Sequence, residues 1–164
     1  MQNISTFGAE VRIIASNTHP IGMKISSFSD DSDPISFSPI TVKEAQMDLN
    51  GNLVSWAVGS LIPLSISVIP GSSDDLDLYI LLNANRASGG GMPKRDDITL
   101  TISYPDQSMK IFSKGKILSG SPSSGAAASG RMTTNTYGFA FATMTNISAR
   151  AAIYSVLGAL STRI

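Results

Sequence analysis

Two short clusters of aspartate are the side chains best suited to chemistry in this sequence. The first lies in the polar segment 29–34 and contains Asp30, Asp31 and Asp33. Three carboxylates in one loop could bind Ca²⁺, which prefers oxygen ligands. The sequence lacks the alternating Asp, the Gly and the distant Glu of an EF-hand loop, and Asp before Pro is typical of a turn. A solvated turn is therefore the favoured interpretation.

The second cluster contains Asp74, Asp75 and Asp77 and follows two serines. Hydroxyl side chains cap helix N-termini, and carboxylates in the first turn are stabilised by the positive end of the helix dipole. This cluster predicts the start of a helix rather than a pair of catalytic acids.

Other catalytic chemistry has few candidate residues. The sequence has no Cys and a single His, His19, which precedes a proline. It has no Gly-x-Ser-x-Gly nucleophile elbow. The glycine-rich run 89–94 lacks the Gly-Lys-Ser/Thr ending of a phosphate-binding loop. We expect no enzyme activity, no cofactor and no metal site.

Charge is scarce and unevenly distributed. Charged residues make up 15% of the chain and the formal net charge is zero, which argues against a general nucleic-acid binder. Residues 1–82 hold three basic and nine acidic side chains, while residues 83–164 hold nine basic and three acidic ones. If the halves form opposed faces, identical subunits can stack head to tail. If the halves intermix in the fold, they neutralise each other locally.

The hydrophobic pattern predicts a mainly β domain, an antiparallel barrel or sandwich of two packed sheets. Strands are predicted at 9–15, 23–28, 40–49, 53–58, 61–69, 98–104, 109–118 and 134–143. Asn50-Gly51 between two of these runs predicts a hairpin, and Gly115 predicts a bulge.

Two helices and several turns complete the predicted elements. Caps and apolar spacing predict one flanking central helix at about 73–87, ended by the glycines that follow it, and a C-terminal helix at about 147–160. Residues 19–22 are expected to form a turn. The small residues of 119–130 predict a flexible loop.

Several motifs, taken in order, resemble the tail tube proteins of contractile-tailed (myovirus-type) bacteriophages, and they span roughly residues 10–143. They are Phe28-Ser29-Asp30-Asp31-Ser32-Asp33-Pro34, Ser73-Asp74-Asp75-Leu76-Asp77-Leu78, Asn83-Ala84-Asn85-Arg86, Pro93-Lys94-Arg95-Asp96-Asp97, Tyr104-Pro105-Asp106, Gly115-Lys116-Ile117, Gly130-Arg131-Met132 and Tyr137-Gly138-Phe139-Ala140-Phe141.

The resemblance implies one tail-tube-like domain over 1–164, with a core at about 9–144 and an extension at 145–164, related in fold to secretion-system tube proteins. It implies a structural virion protein whose hexameric rings stack into the hollow inner tail tube that conducts phage DNA into the host. The implied partners are other copies and the sheath, baseplate and tail terminator proteins. DNA would pass through the lumen without specific binding, no membrane would be involved, and the tail would be assembled in the host cytoplasm.

Charge also predicts which residues meet between subunits. The candidates are acidic on one side of the contact and basic on the other: Asp30, Asp31, Asp33, Asp74 and Asp75 facing Lys94, Arg95 and Arg131. Two alternatives remain at this point. One is a monomeric β-sandwich module that binds calcium or carbohydrate, with Trp56 as the only tryptophan for a sugar platform. The other is the tube of a contractile injection system that carries no genome.

Overall fold

The computed structural model of the chain describes residues 8–30, 33–87, 91–105 and 108–147. Within these residues the chain forms ten β-strands, with one α-helix between the sixth and the seventh. The elements are β1 (Glu10–Ala15), β2 (His19–Ile25), β3 (Ile35–Phe37), β4 (Lys43–Met47), β5 (Leu53–Ala57), β6 (Ile62–Val68), α1 (Ser73–Asn85), β7 (Ile98–Ser103), β8 (Met109–Gly120), β9 (Asn135–Phe141) and β10 (Thr143–Ile147).

Two antiparallel sheets pack as a sandwich and share one long strand. The first sheet has the order β2-β1-β7-β8-β10, and the second has the order β8-β9-β6-β3. The first half of β8 pairs with β7 and β10, and its second half pairs with β9. The predicted architecture of two packed sheets and a flanking helix is confirmed. It is a sandwich rather than a closed barrel, because β2, β10 and β3 are free edges in the part of the chain that the structure describes.

The change of sheet within β8 occurs at Lys114 and Gly115. Lys114 has a φ of +55°, in the left-handed region that non-glycine residues rarely adopt. Gly115 lies against the ring of Phe141, and a Cβ at this position would overlap that ring and lie 3.0 Å from the carbonyl oxygen of Ile98. The pairing of β7 with β8 shifts register at the same place. The predicted bulge at Gly115 is confirmed.

The core lies between the two sheets and follows the two-residue period of the strands. Alternate residues of β1, β7 and β9 are buried, so each strand presents one face to the interior. Full burial of an aliphatic or aromatic side chain contributes roughly 1.5–3 kcal/mol relative to exposure. The largest fully buried side chains are Tyr137, Phe112, Phe139, Phe141, Ile13, Ile25, Leu64, Ile66, Leu78, Leu81, Ile98 and Leu100.

Helix α1 begins where the serine and aspartate run predicts. The hydroxyl of Ser72 accepts a hydrogen bond from the backbone N–H of Asp75, which caps the helix N-terminus. Leu78 and Leu81 are buried on the inner face of the helix. The C-terminal cap is Arg86 in an extended conformation, so the predicted glycine cap is wrong. The cap N–H of Arg86 instead bonds the carbonyl oxygen of Asn83.

Strands β4 and β5 form the hairpin that Asn50-Gly51 predicts, although β4 is shorter than the predicted strand 40–49. Gly51 has a φ of +84°, which glycine adopts without strain. The carboxylate of Asp48 accepts hydrogen bonds from the backbone N–H groups of Asn50 and Asn52, and so closes the turn. All ten strand residues are exposed, so the hairpin stands apart from the core.

Tertiary pairing, rather than local sequence, decides three segments, and the predicted turn at 19–22 is wrong. Residues 19–22 belong to β2, since their backbone pairs with β1, and the turn lies at residues 16–18. Strands β3 and β10 carry no clear pattern and form by pairing with β6 and β8. Ile147 ends β10 rather than starting a helix, and the rest of the predicted helix 147–160 lies outside the described residues.

Residues 121–134, between β8 and β9, form more hydrogen bonds than the flexible loop that their composition predicts. An isolated bridge joins Ala126 to Met132, and the backbone N–H of Gly125 donates to the hydroxyl of Thr133 at 2.9 Å. Ser124 is hydrogen-bonded to Asn135 at the start of β9. Small residues here allow a tight hydrogen-bonded turn as well as a flexible loop.

Substituting Gly115→Ala tests the bend in β8. We expect a loss of about 1–3 kcal/mol in the free energy of unfolding, because the added methyl group must displace the Phe141 ring in a packed core. Urea denaturation measures this loss. Gly59→Ala is the control, since a Cβ there meets nothing within 4 Å, and its effect should be less than about 0.5 kcal/mol. Equal effects at the two positions would contradict the assignment.

Candidate subunit interface

The structure joins two of the predicted interface charges within one chain. Arg131 donates from its guanidinium to the carboxylate of Asp30 at 2.6 Å. Asp33 is exposed, and Asp31 lies outside the described residues. Among the described residues, no group of three or more His, Asp or Glu side chains could hold a metal ion. The exposed Asp30–Arg131 pair closes the acidic loop onto the segment before β9.

Asp74 and Asp75 connect the start of α1 to the two sheets. Asp74 is buried, and its carboxylate accepts hydrogen bonds from the backbone N–H groups of Ser26 and Ser27 at 2.7 and 2.8 Å. The carboxylate of Asp75 accepts from the hydroxyl of Tyr137 at 2.8 Å. Burial, together with this hydrogen bond, raises the pKa of Tyr137, so the phenol remains a donor. Both aspartates are engaged inside the subunit, and their contact with a neighbouring copy stays a prediction.

Asp96 is a structural centre that sequence reasoning missed. It is fully buried and accepts hydrogen bonds from the backbone N–H groups of Asn17 and Thr18, from the Thr18 hydroxyl and from the side-chain amide of Asn85. Burial acts to raise the pKa of Asp96, but these hydrogen bonds outweigh it and hold the pKa below its usual value. The carboxylate thus ties the β1–β2 turn to the end of α1.

A group of exposed cations surrounds this end of the helix. Arg86 caps α1, and the backbone N–H of Lys94 donates to the carbonyl oxygen of Ala84 at 2.7 Å. Arg95 follows directly and precedes buried Asp96. The side chains of Arg86, Lys94 and Arg95 form no hydrogen bond or ion pair with any residue that the structure describes. Sequence reasoning selected Lys94 and Arg95 but missed Arg86, which folding brings beside them.

A groove runs next to these cations, between α1 and the end of β8. Its lining is largely apolar, with polar atoms at the helix end: Leu82, Asn85, Arg86, Ile117, Leu118 and Pro122. Its volume is about 320 Å³, roughly ten times the 30 Å³ that one water occupies in the liquid. Leu118 is 63% exposed at its edge. The groove can therefore accept side chains from another molecule.

The hairpin presents a second apolar surface. Leu49 at its tip is completely exposed, and Met47 and Leu53 are paired across the strands and more than half exposed. Trp56 is 45% exposed on the opposite face of the hairpin. An isolated two-stranded hairpin is marginally stable in water. Apolar side chains on both faces therefore mark a surface for a partner.

Substituting Asp96→Ala tests the link between the β1–β2 turn and the end of α1. We expect a loss of about 3 kcal/mol in the free energy of unfolding at pH 7, since each buried donor left unpaired costs roughly 1–3 kcal/mol. Urea denaturation of the variant and of Asp97→Ala provides the comparison. The Asp97→Ala variant loses only the exposed ion pair between Asp97 and Lys116, which contributes less than about 1 kcal/mol. Equal losses would contradict the role of Asp96.

The contribution of Asp96 should also depend on pH. Its folded-state pKa lies below the unfolded value of about 3.9. Its stabilisation is therefore complete above that value and is lost as the pH falls through the folded-state pKa. Asp96→Asn should flatten the decline in unfolding free energy measured from pH 5 down to pH 2. If the unfolding free energy of the variant falls as steeply between pH 5 and pH 2 as that of the parent, the assignment is contradicted.

The comparisons with known proteins give one family match and several solved structures of similar fold. The family model described as tail fiber protein gp32 matches residues 2–145. No match to a curated protein sequence was found. No helix in the described ranges is both long enough and apolar enough to cross a membrane.

Three similar cryo-EM structures belong to injection machines. The tube-terminating cap of the anti-feeding prophage has 14% identity and a TM-score of 0.57, over 91% of this chain and 93% of that one. The sheath/tube terminator of the extracellular contractile injection system PVC has 16% identity and a TM-score of 0.54, over 90% and 99%. The PVC sheath-tube complex has 14% identity and a TM-score of 0.53, over 85% and 88%.

At these identities the structural likenesses establish the fold, while the family model establishes the relationship by sequence. The family model confirms the predicted relationship to tail proteins, and membership in a tail-protein family agrees with the expectation that the chain is not an enzyme. This chain belongs to the tail fiber protein gp32 family.

Proposed function

We propose that copies of this chain assemble into hexameric rings and that the rings stack into the inner tube of a contractile tail. The observation that carries the proposal is the β4–β5 hairpin, whose ten strand residues are all exposed. The likeness in fold to the tube-terminating cap of the anti-feeding prophage and to a chain of the PVC sheath-tube complex supports it.

The hairpin supports self-assembly because it contributes little to the folding free energy of a single subunit. Its strands contact each other and make no substantial contact with the other elements of the described chain. Ordering such a segment costs conformational entropy that two strands alone barely offset. Covering it with a neighbouring subunit would remove apolar surface from water at about 25 cal/mol per Å².

We also propose that DNA passes through the lumen of the tube, and the supporting feature is the composition of the outer face of the first sheet. The register of β7, β8 and β10 places hydroxyl side chains on the outer face of the first sheet, namely Thr99, Thr101, Ser103, Ser113, Thr143 and Thr145. The lysines of these three strands lie outside this set of positions. On β1 and β2, which continue the same face, Glu10, Arg12 and Lys24 are charged, and Glu10 forms an ion pair with Lys24. Cationic side chains bind phosphate strongly, so a hydroxyl-rich wall suits a polyanion that must slide.

A ring at the end of the tube is a second candidate. It is favoured by the likeness to a tube-terminating cap and to a sheath/tube terminator, over 93% and 99% of those chains. A cap would form a single ring, whereas a tube subunit would stack. The proposed partners are sheath, baseplate and terminator proteins, in a phage tail or in a genome-free injection machine of the kind that these neighbours represent.

Negative-stain electron microscopy and sedimentation velocity of the purified chain test the proposal. We expect hexameric rings that lengthen into hollow tubes as protein concentration rises, because each added contact covers apolar surface. Single rings that never stack would favour the terminal position. A monomer at every concentration and salt tested would contradict self-assembly.

Removing the hairpin separates assembly from folding. Replacing residues 44–56 by an Asn-Gly turn should leave the melting temperature within a few degrees of the parent, because these residues lie outside the core. Ring and tube formation should be lost in the same preparation. Rings formed as readily without the hairpin would show that it is not the assembly surface.

A further inference from the structure

The geometry points to a specific contact: the tip of the β4–β5 hairpin of one copy docks in the groove between α1 and β8 of a second copy. This inference rests on the self-assembly proposed above and specifies the two surfaces that meet. The hairpin tip is defined as residues 47–53, and the α1–β8 groove as the pocket lined by Leu82, Ile117, Leu118 and their neighbours.

The two surfaces have complementary shapes. The groove is a depression of about 320 Å³ with an apolar lining, and close packing between β8 and α1 maintains it. A Cβ at Gly120 would lie 2.8 Å from Leu82 and 2.7 Å from Tyr137, so a larger residue would separate the strand from the helix. The hairpin tip is a narrow projection that ends in the fully exposed side chain of Leu49. Among the described residues of one copy, neither the exposed leucine nor the apolar groove has a partner.

The two surfaces also have complementary charge. Arg86 lines the groove, and Lys94 and Arg95 lie at the same end of α1. The hairpin tip carries one charged side chain, Asp48 in the turn, and the charges of Lys43 and Glu44 on β4 offset each other. Hydrogen bonds from Asn52 hold the pKa of Asp48 below its usual value, so its negative charge is retained across the neutral range. Opposite charges at the rim of an apolar contact steer association and fix its orientation.

Several other acidic side chains are already engaged inside the subunit, whereas Asp33 is exposed. Asp30 pairs with Arg131, Asp74 bonds the backbone at the end of β2, and Asp75 bonds Tyr137. A contact between two different patches is heterologous, so each copy offers one tip and one groove. Repetition of that contact closes a ring or extends a filament, which is the form of assembly proposed above.

Two variants test the contact by complementation. Leu49→Asp damages the tip and keeps the groove, while Leu118→Asp damages the groove and keeps the tip. Both residues are exposed, so each variant should keep the parent melting temperature. Each alone should be monomeric in sedimentation velocity, because a carboxylate then replaces the apolar side chain at the centre of the contact and its burial costs desolvation free energy. An equimolar mixture should form a 1:1 heterodimer, since it contains one intact tip and one intact groove that can meet.

Leu76→Asp is the matched control. Leu76 is 59% exposed on α1, close to the 63% of Leu118, and does not line the groove, so this variant should assemble like the parent. Arg86→Glu should weaken assembly by about tenfold, with a larger effect at low salt.

The outcomes separate this contact from the broader proposal. A parent chain that never assembles contradicts the proposed function itself. A parent that assembles while Leu49→Asp and Leu118→Asp also assemble shows that the copies meet elsewhere. If each variant is monomeric and their mixture stays monomeric, the tip and the groove are not partners. The heterodimer alone supports the contact.

Discussion

Strand β8 pairs with β7 and β10 in one sheet and with β9 in the other, so a single strand joins the two layers of the sandwich. A strand can serve both sheets only if its backbone turns sharply while its hydrogen bonds continue on either side. Lys114 supplies a left-handed conformation and Gly115 supplies the absence of a side chain against the Phe141 ring. Because β7, β9 and β10 all pair with this strand, its bend sets the angle between the sheets and the volume of the core between them.

The remaining elements are attached to this sandwich by buried or half-buried carboxylates. Asp74 and Asp75 hold the start of α1 against β2 and β9, and Asp96 holds its end against the β1–β2 turn. Hydrogen bonds to ionised groups contribute about 1.5–3 kcal/mol each, which is large against the total stability of a domain. Clusters of aspartate that could suggest acid–base or metal chemistry thus act as structural acceptors, which agrees with membership in a family of tail proteins.

Two surfaces of the described subunit are exposed to solvent although they are largely apolar. The hairpin extends away from the core with apolar residues on both faces, and the α1–β8 groove is open beside three cations that have no side-chain partner among the described residues. A single subunit gains little from either feature, because apolar side chains in water and unpaired charges do not stabilise it. Both features are explained if the functional unit contains several copies, which is the organisation proposed for this chain.

The class of the fold, the central helix, the Asn-Gly hairpin and the bulge at Gly115 could be predicted from local sequence, and the order of motifs pointed to tail proteins. The four structural features depend on local periodicity, on caps and on glycine conformations, all of which act over a few residues. Tertiary contacts were needed to show that residues 19–22 form a strand, that Asp30 meets Arg131, that Asp96 is buried and that Arg86 lies beside Lys94. Those outcomes join residues far apart in the chain, because long-range strand pairing and burial override weak local preferences and bring together charges whose spacing carries no signal.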